Sequence, residues 1–227
     1  MTNIHLIGGE KGGVGKSLVA RLLAQYCIDR SLPFIGFDSD RIQGALLRFY
    51  AGHASPILIG NYESLDTIVE AATENPERRI LVDLVPQSND GLTQWMDDSQ
   101  LLEVASEIGL SFRYWHVMDS GRESVDLLKR LMDRHGTRFK YTLVLNQVRG
   151  ADFRIFDESS EKARALRMGA GLVTLRRLEE SSMLKIDACS LSFSAAVNTS
   201  QGGLRLLERQ RVKVWLKNAY EEIATAV

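Results

Sequence analysis

Residues 8 to 17 read Gly8-Gly9-Glu10-Lys11-Gly12-Gly13-Val14-Gly15-Lys16-Ser17. This stretch restricts the fold sharply, because the segments on either side must comply with it. The apolar run Ile4-His5-Leu6-Ile7 comes before it and suits a buried strand. The run Leu18 to Ile28 follows, with Val19, Leu22, Leu23 and Tyr26 at helical spacing. Strand, glycine-rich loop and helix, in that order, is the setting of a phosphate-binding loop. Glycine lets the backbone wrap tightly and lets amides approach phosphate oxygens. Those amides and the N-terminus of the following helix form a pocket of donors for anions. Lys16 then offers a point charge to the outer phosphates, and Ser17 offers a hydroxyl to Mg²⁺. Gly12, Gly13, Val14, Gly15, Lys16, Ser17 and Leu18 are therefore the expected nucleotide contacts.

A plain phosphate loop requires no lysine at position 11. With it, Lys11-Gly12-Gly13-Val14-Gly15-Lys16-Ser17 resembles the deviant Walker A motif of the ParA/MinD family of dimerising ATPases. The resemblance implies ATP and Mg²⁺ as cofactors and a homodimer that forms on ATP binding. It also implies slow hydrolysis stimulated by an adaptor protein. Lys11 would reach across that dimer to phosphates held by the partner subunit. A second cation there would neutralise charge that develops during phosphoryl transfer. A solvated loop lysine is the alternative.

Three further carboxylates end apolar runs. Pro33-Phe34-Ile35-Gly36-Phe37 reads as a strand that runs into Asp38-Ser39-Asp40. Ligands bind beyond the carboxyl ends of strands in open α/β sheets, so this is a place for site residues. In the resembled family an Asp-x-Asp switch stands here. It implies water orientation by Asp40 and support of the Mg²⁺ shell by Asp38. The family pattern usually continues Asp-Pro-Gln, whereas Asp40 is followed by Arg41-Ile42-Gln43. A loop in which these aspartates cap the next helix is the competing reading. Arg79-Ile80-Leu81-Val82-Asp83 resembles a Walker B strand, whose carboxylate would hold a Mg²⁺-bound water. Its proline, Pro86, comes three residues on instead of two. Tyr141-Thr142-Leu143-Val144-Leu145 is another buried strand, ending in Asn146. In the family an asparagine here hydrogen-bonds the adenine edge, and an amide both donates and accepts. A strand-end turn would also favour asparagine.

Elsewhere, Pro56 to Ile59 reads as a short edge strand. Leu65, Ile68, Val69 and Ala72 mark a helix, and Trp95 to Ile108 another. Phe112 to Val117 is a strand by aromatic content. Ser120, with Glu123 three residues on, reads as a capping box for a helix through Arg134. Gly150 to Asp157 reads as loop, Glu158 to Met168 as helix, and Ala170 to Leu175 as the last strand. This alternation predicts a single α/β domain over residues 1–227: a P-loop NTPase with a mostly parallel, twisted sheet and helices on both faces.

Gly202-Gly203 is expected to open a final helix through about Thr225. In it Arg205, Arg209, Lys213 and Lys217 are spaced by four. Like charges at that spacing cost a helix a few tenths of a kcal/mol per pair, roughly. DNA phosphates would compensate, and the resembled partition ATPases bind DNA nonspecifically through basic residues near the C-terminus. A solvated face neutralised by Glu208, Glu221 and Glu222 is the plainer reading. Val212, Trp215, Leu216, Ala219 and Ile223 form the apolar arc. A membrane-bound switch is the weaker fit, since Glu221-Glu222 and the small tail leave little to bury in lipid.

A net charge of -1 excludes a surface coated uniformly for nucleic acid. Cys27 and Cys189, the two cysteines, lie far apart, which suits a reducing cytoplasm and disfavours an interfacial metal cluster. Met1-Thr2-Asn3 leads directly into the first strand, so no secretion leader and no N-terminal DNA-reading domain is expected. No apolar run nears the roughly 18 residues that span a bilayer. Partition or cargo positioning is the expected role, with plasmid mobilisation and membrane-associated positioning as alternatives.

Overall fold

A computed structural model of the chain describes residues 2–199 and 203–226. The elements in order are β1 (Thr2–Gly8), α1 (Lys16–Asp29), β2 (Phe34–Asp38), α2 (Ala45–Phe49), β3 (Ala54–Pro56) and α3 (Tyr62–Glu74). Then come β4 (Arg79–Asp83), α4 (Asn89–Asp98), α5 (Leu101–Val104), β5 (Leu110–Met118), α6 (Arg122–His135) and β6 (Lys140–Asn146). The rest are α7 (Arg154–Asp157), α8 (Ser160–Arg167), β7 (Gly171–Leu175), α9 (Glu180–Ala188), α10 (Phe193–Asn198) and α11 (Leu206–Ile223). The strands form one 7-stranded sheet in the order β3-β2-β4-β1-β5-β6-β7. Every pairing in it is parallel.

Both faces of the sheet are covered, and the alternation of side chains divides the core in two. Ile4, Leu6, Ile80 and Val82 point to the layer that holds α3 to α8. Ile7 and Leu81 point to the layer that holds α1, α2 and α9 to α11. Register aligns Ile4 with Ile80 and Leu6 with Val82, so each face meets its own layer. The histidine inside the first apolar run has a partner. His5 Nδ1 accepts the Trp115 indole N–H at 3.0 Å. Burial, then the charges of Arg113 and Arg79, pushes its imidazole down to about 3, so it stays neutral.

The boundaries differ from the sequence reading where local geometry intervenes. The edge strand is Ala54–Pro56, ahead of the expected run. The single helix expected over 95–108 is two, because Gln100 adopts a left-handed φ of 47° between α4 and α5. Ser120 does not cap α6. The cap position is Gly121, without a side-chain bond, and Glu123 turns towards Lys11 instead. The segment read as loop over 150–157 contains α7, which buries Phe153 and Phe156. Helices α9 and α10 occupy the stretch after β7 that carried no assignment. Gly202 lies outside the described residues. The last helix starts at Leu206, where Glu208 accepts the Arg205 amide at 2.6 Å. Its apolar arc is buried as expected, with Val212, Trp215, Leu216, Ala219 and Ile223 all in the core. Among the described residues no helix is long and apolar enough to cross a membrane.

Phe156 makes α7 part of the core and not a surface loop. Phe156→Ala should cost about 3–5 kcal/mol, the range for truncating a buried aromatic side chain. Urea unfolding with an unchanged slope would show it. A loss under about 0.5 kcal/mol, as for a surface position, would return the segment to loop status.

Candidate functional site

The carboxyl ends of the parallel strands meet at one edge of the sheet, and the site is built there. The loop after β1 joins α1 through Gly15, whose φ of 97° is the left-handed region that favours glycine. A Cβ at Gly15 would collide with Asn146 Nδ2. Gly13, at φ 71°, has the Arg149 guanidinium resting against it, 2.5 Å from where a Cβ would stand. No side chain caps α1, and no acidic residue stands in its first turn. Its first amides and its positive dipole end are thus left facing the loop, as an anion requires.

Lys16 is buried and folds back on the loop, donating from Nζ to the Lys11 carbonyl at 3.0 Å. Burial lowers its pKa, while Asp83 and Glu10 pull the other way. A cleft of about 310 Å³ opens beside it, lined by Lys16, Ser17, Asp38, Asp40 and Asp83. Asp83 is pushed up to about 7, first by burial and then by the neighbouring Asp38, against a hydrogen bond from Ser17 and the charge of Lys16. Burial also raises Asp38, against backbone N–H groups that it accepts. The structure therefore brings Ser17, Lys16, Asp38 and Asp83 together as the sequence suggested.

Asp38 and Asp40 act as caps. Asp38 Oδ1 accepts the Asp40 amide at 3.0 Å and Oδ2 the Leu46 amide at 2.9 Å, which holds the start of α2. Asp40 Oδ1 accepts the amides of Ile42 and Gln43 at 3.0 and 2.9 Å. Asp40 also lines the cleft. Between them Ser39 ties two loops together. Its hydroxyl donates to the Asp83 carbonyl at 2.9 Å and accepts the Val85 amide at 2.8 Å.

A second cavity, about 360 Å³, adjoins the first through Gly15. Leu18, Val148, Leu178 and Leu184 give it apolar walls, Arg21, Arg177, Glu180 and Asp187 also line it, and Asn146 stands in it. Asn146 Nδ2 donates to the Val14 carbonyl at 2.7 Å. Its Oδ1 is buried and has no hydrogen-bond partner among the described residues. A buried acceptor left unpaired is costly, and a ligand that donates there would relieve it.

Sequence reasoning missed Ser39, Asp119 and Arg149. Asp119 was findable, because it follows the apolar β5 just as Asp38 and Asp83 follow theirs. It binds Lys11 at 2.9 Å. Arg149 lies in the short turn after Asn146 and carried no signal. Of the four basic residues Arg205, Lys213 and Lys217 are exposed, and each step of four turns the helix by about 40° beyond a full circle, so the row drifts around it. Arg209 is half buried, with its Nε unpaired among the described residues. Lys217 lies 4.0 Å from Glu221. Lys213 and Lys217 line a separate cavity together with Arg30.

The sheet order, the loop and its helix define a P-loop NTPase fold. In that fold and in its loop the chain resembles the ParA/MinD type of P-loop ATPase. No family model matches it. It is 29% identical to Protein MobD of Acidithiobacillus ferrooxidans over 136 residues, 58% of each chain, which is less than two thirds of that relative. It is 23% identical to Protein TraL of Escherichia coli over 100% of this chain and 99% of that one. Among solved structures it is similar to the ATP complex of McdA(D38A) from Cyanothece, with TM-score 0.52, 11% identity and 99% and 96% of the two chains covered. The cell division protein MinD of Aquifex aeolicus gives 0.51, 13%, and 100% and 98%. An ADP-bound nucleotide-binding protein of Archaeoglobus fulgidus gives 0.51, 15%, and 82% and 86%.

The Asp83 carboxyl sets a pH signature. Its folded pKa of about 7 lies above the ordinary 3.8, so the folded state holds that proton more tightly than the unfolded chain. The associated stability is present below 3.8 and is lost as pH rises through about 7. Asp83→Asn removes this dependence. The melting temperature of the variant should pull ahead of the parent's across that window and stop gaining above it, by about 2–4 °C per kcal/mol relieved. A constant difference at every pH would show that Asp83 titrates normally.

Proposed function

We propose that this chain is an ATP-dependent dimerising switch and a slow Mg-ATPase of ParA/MinD type, formed by one domain over its full length. The observation that supports it most is the pair of adjoining cavities. One has Lys16 and the loop amides on its floor beside three carboxylates, Asp38, Asp40 and Asp83, and the other has largely apolar walls around an unpaired acceptor. A purine nucleoside triphosphate presents matching parts: an anionic tail, a flat apolar base and an exocyclic amino donor. Asn146 Oδ1 would accept that amino group. The loop amides and Lys16 would hold the phosphates, Lys16 releasing the Lys11 carbonyl to do so.

Ser17, Asp38 and Asp83 are hard oxygen donors, which fits Mg²⁺. That ion supplies neutralisation of phosphate charge when bound. A cation or a phosphate-bound lysine beside Asp83 would return its carboxyl to the ionised form. Asp40, which lines the cleft, would orient a water. Ser39 couples the loops after β2 and β4, so both would respond together when the outer phosphate departs. Lys11 would act on the partner subunit's phosphates. ATP would then favour the dimer by binding it better than the monomer, and an adaptor protein would reset it.

Partition or cargo positioning remains the leading role. Plasmid mobilisation is the second reading, and the relatives MobD and TraL favour it. Nonspecific DNA would be met by Lys213, Lys217 and Arg30, which line one cavity together with Asp29 and Glu221. The buried apolar arc of α11 leaves that arc nothing to offer lipid.

Lys16→Ala should weaken ATP binding at least about a hundredfold, since a charge-assisted phosphate contact is lost from a dry site. Lys11→Ala should bind ATP within about threefold of the parent, because uniform binding does not involve it, yet neither dimerise nor hydrolyse. Fluorescent ATP titration and light scattering separate the two. A Lys11→Ala protein that dimerises and turns over normally rejects the switch. For DNA, log K for the ATP-bound protein should fall with log salt at about 0.9 per phosphate contact, and Lys213→Glu with Lys217→Glu should flatten that slope. Equal slopes in variant and parent would remove DNA as a partner of this face.

A further inference from the structure

The mouth of the phosphate loop carries two cations on one buried carboxylate. Asp119 has a side chain only 4% exposed. Its Oδ1 is saturated within the protein: it accepts the Ser124 hydroxyl at 2.7 Å, the Gly121 amide at 3.1 Å and Lys11 Nζ at 3.1 Å. Its Oδ2 is shared. Lys11 Nζ lies 2.9 Å from it and Arg149 Nη1 3.4 Å. The other Arg149 nitrogen rests on Gly13 of the loop. Burial would raise the Asp119 pKa, but bonds from Lys11, Ser124 and Gly121 hold it below the ordinary value, so it is ionised at neutral pH. Glu123 is 3.5 Å from Lys11 but 65% exposed, and such a contact is weak.

Lys11 cannot serve both Asp119 and a phosphate on another subunit. If it leaves, a buried carboxylate loses its closest cation, which is strongly unfavourable unless another takes its place. Arg149 is already within reach, on a long side chain that is 52% exposed and free to move inward. We propose that Asp119 and Arg149 are positioning residues for Lys11: Asp119 parks the lysine on its own subunit, and Arg149 replaces it there when the lysine crosses to bound phosphate. This rests on the dimerising reading above. The exchange leaves one cation on Asp119 in place of two, so the carboxylate is never left unpaired. Arg149 therefore lowers the cost of releasing Lys11, and Asp119 raises it.

The two residues should act on the ATP concentration at half-maximal dimerisation, in opposite directions. Asp119→Asn should lower it and Arg149→Gln should raise it, each by roughly fivefold to tenfold, the low end of coupling between linked sites. ATP affinity of dilute monomer and turnover at saturating ATP should change less than about twofold, since neither residue holds nucleotide. Arg149→Lys should restore most of the loss. The double variant should behave as Asp119→Asn alone, because without the carboxylate the arginine has nothing to cover. That epistasis is not expected of two surface charges that merely stabilise the fold. Arg149 is half exposed, so its variants stay folded even if Asp119→Asn does not, and thermal unfolding checks both. Parent protein that stays monomeric in saturating ATP overturns the dimerising reading and this exchange with it. Parent protein that dimerises in a Lys11-dependent way, while Arg149→Gln keeps the parental ATP threshold, overturns the exchange alone.

Discussion

A parallel sheet covered on both faces has little room for polar chemistry except the edge where its strands end. The seven strands here all point one way, and their interiors are apolar. Asp38, Asp83, Asp119 and Asn146 each stand at or just after the end of a strand. Asp38 and Asp83 are close enough for one to shift the other, and Asn146 reaches the loop after β1. The charges at the edge must therefore be resolved among the protein's own groups and whatever binds. Every unusual property of the site follows from that crowding.

The crowding is resolved in two ways. On one side of the loop burial raises the pKa values of Asp38 and Asp83, and the charge of Asp38 raises Asp83 further. On the other, two cations share one carboxylate, whose pKa falls. Lys16 sits between, buried and bonded to a carbonyl that a phosphate would outcompete. A ligand with a concentrated negative charge and an associated cation would relieve both sides. Backbone caps at Asp38 and Asp40 and the Ser39 bridge hold the loops in place.

The fold by itself says less than the site. P-loop architecture supports many functions, and structural neighbours at 11–15% identity share the architecture without fixing a role. What particularises this chain is local. A lysine stands at position 11, Asp40 is followed by Arg41-Ile42-Gln43, and an arginine leans on the loop at Gly13. Helix α11 illustrates the same point from the other side. Its basic residues look like a unit when spaced along the chain, yet packing against β7 and α1 divides them between the half-buried Arg209 and the exposed Lys213.

Local pattern alone determined the class of fold, the loop and the strand-terminal residues. Glycine spacing, apolar runs and their terminal carboxylates are properties of short windows, and the physics that reads them is short-ranged. Element ends were read less well. Gln100 breaks a helix with a left-handed turn, Gly121 takes a cap from Ser120 while Glu123 turns to Lys11, and two buried phenylalanines make an apparent loop into α7. Tertiary structure alone decided which charges meet. Asp119 is 108 residues from Lys11 and 30 from Arg149 along the chain, and β5 and β6 lie side by side in the sheet with β1. Coulomb interactions depend on distance through a low-dielectric interior and not on separation in sequence, so no window of residues could have shown that one carboxylate holds both cations.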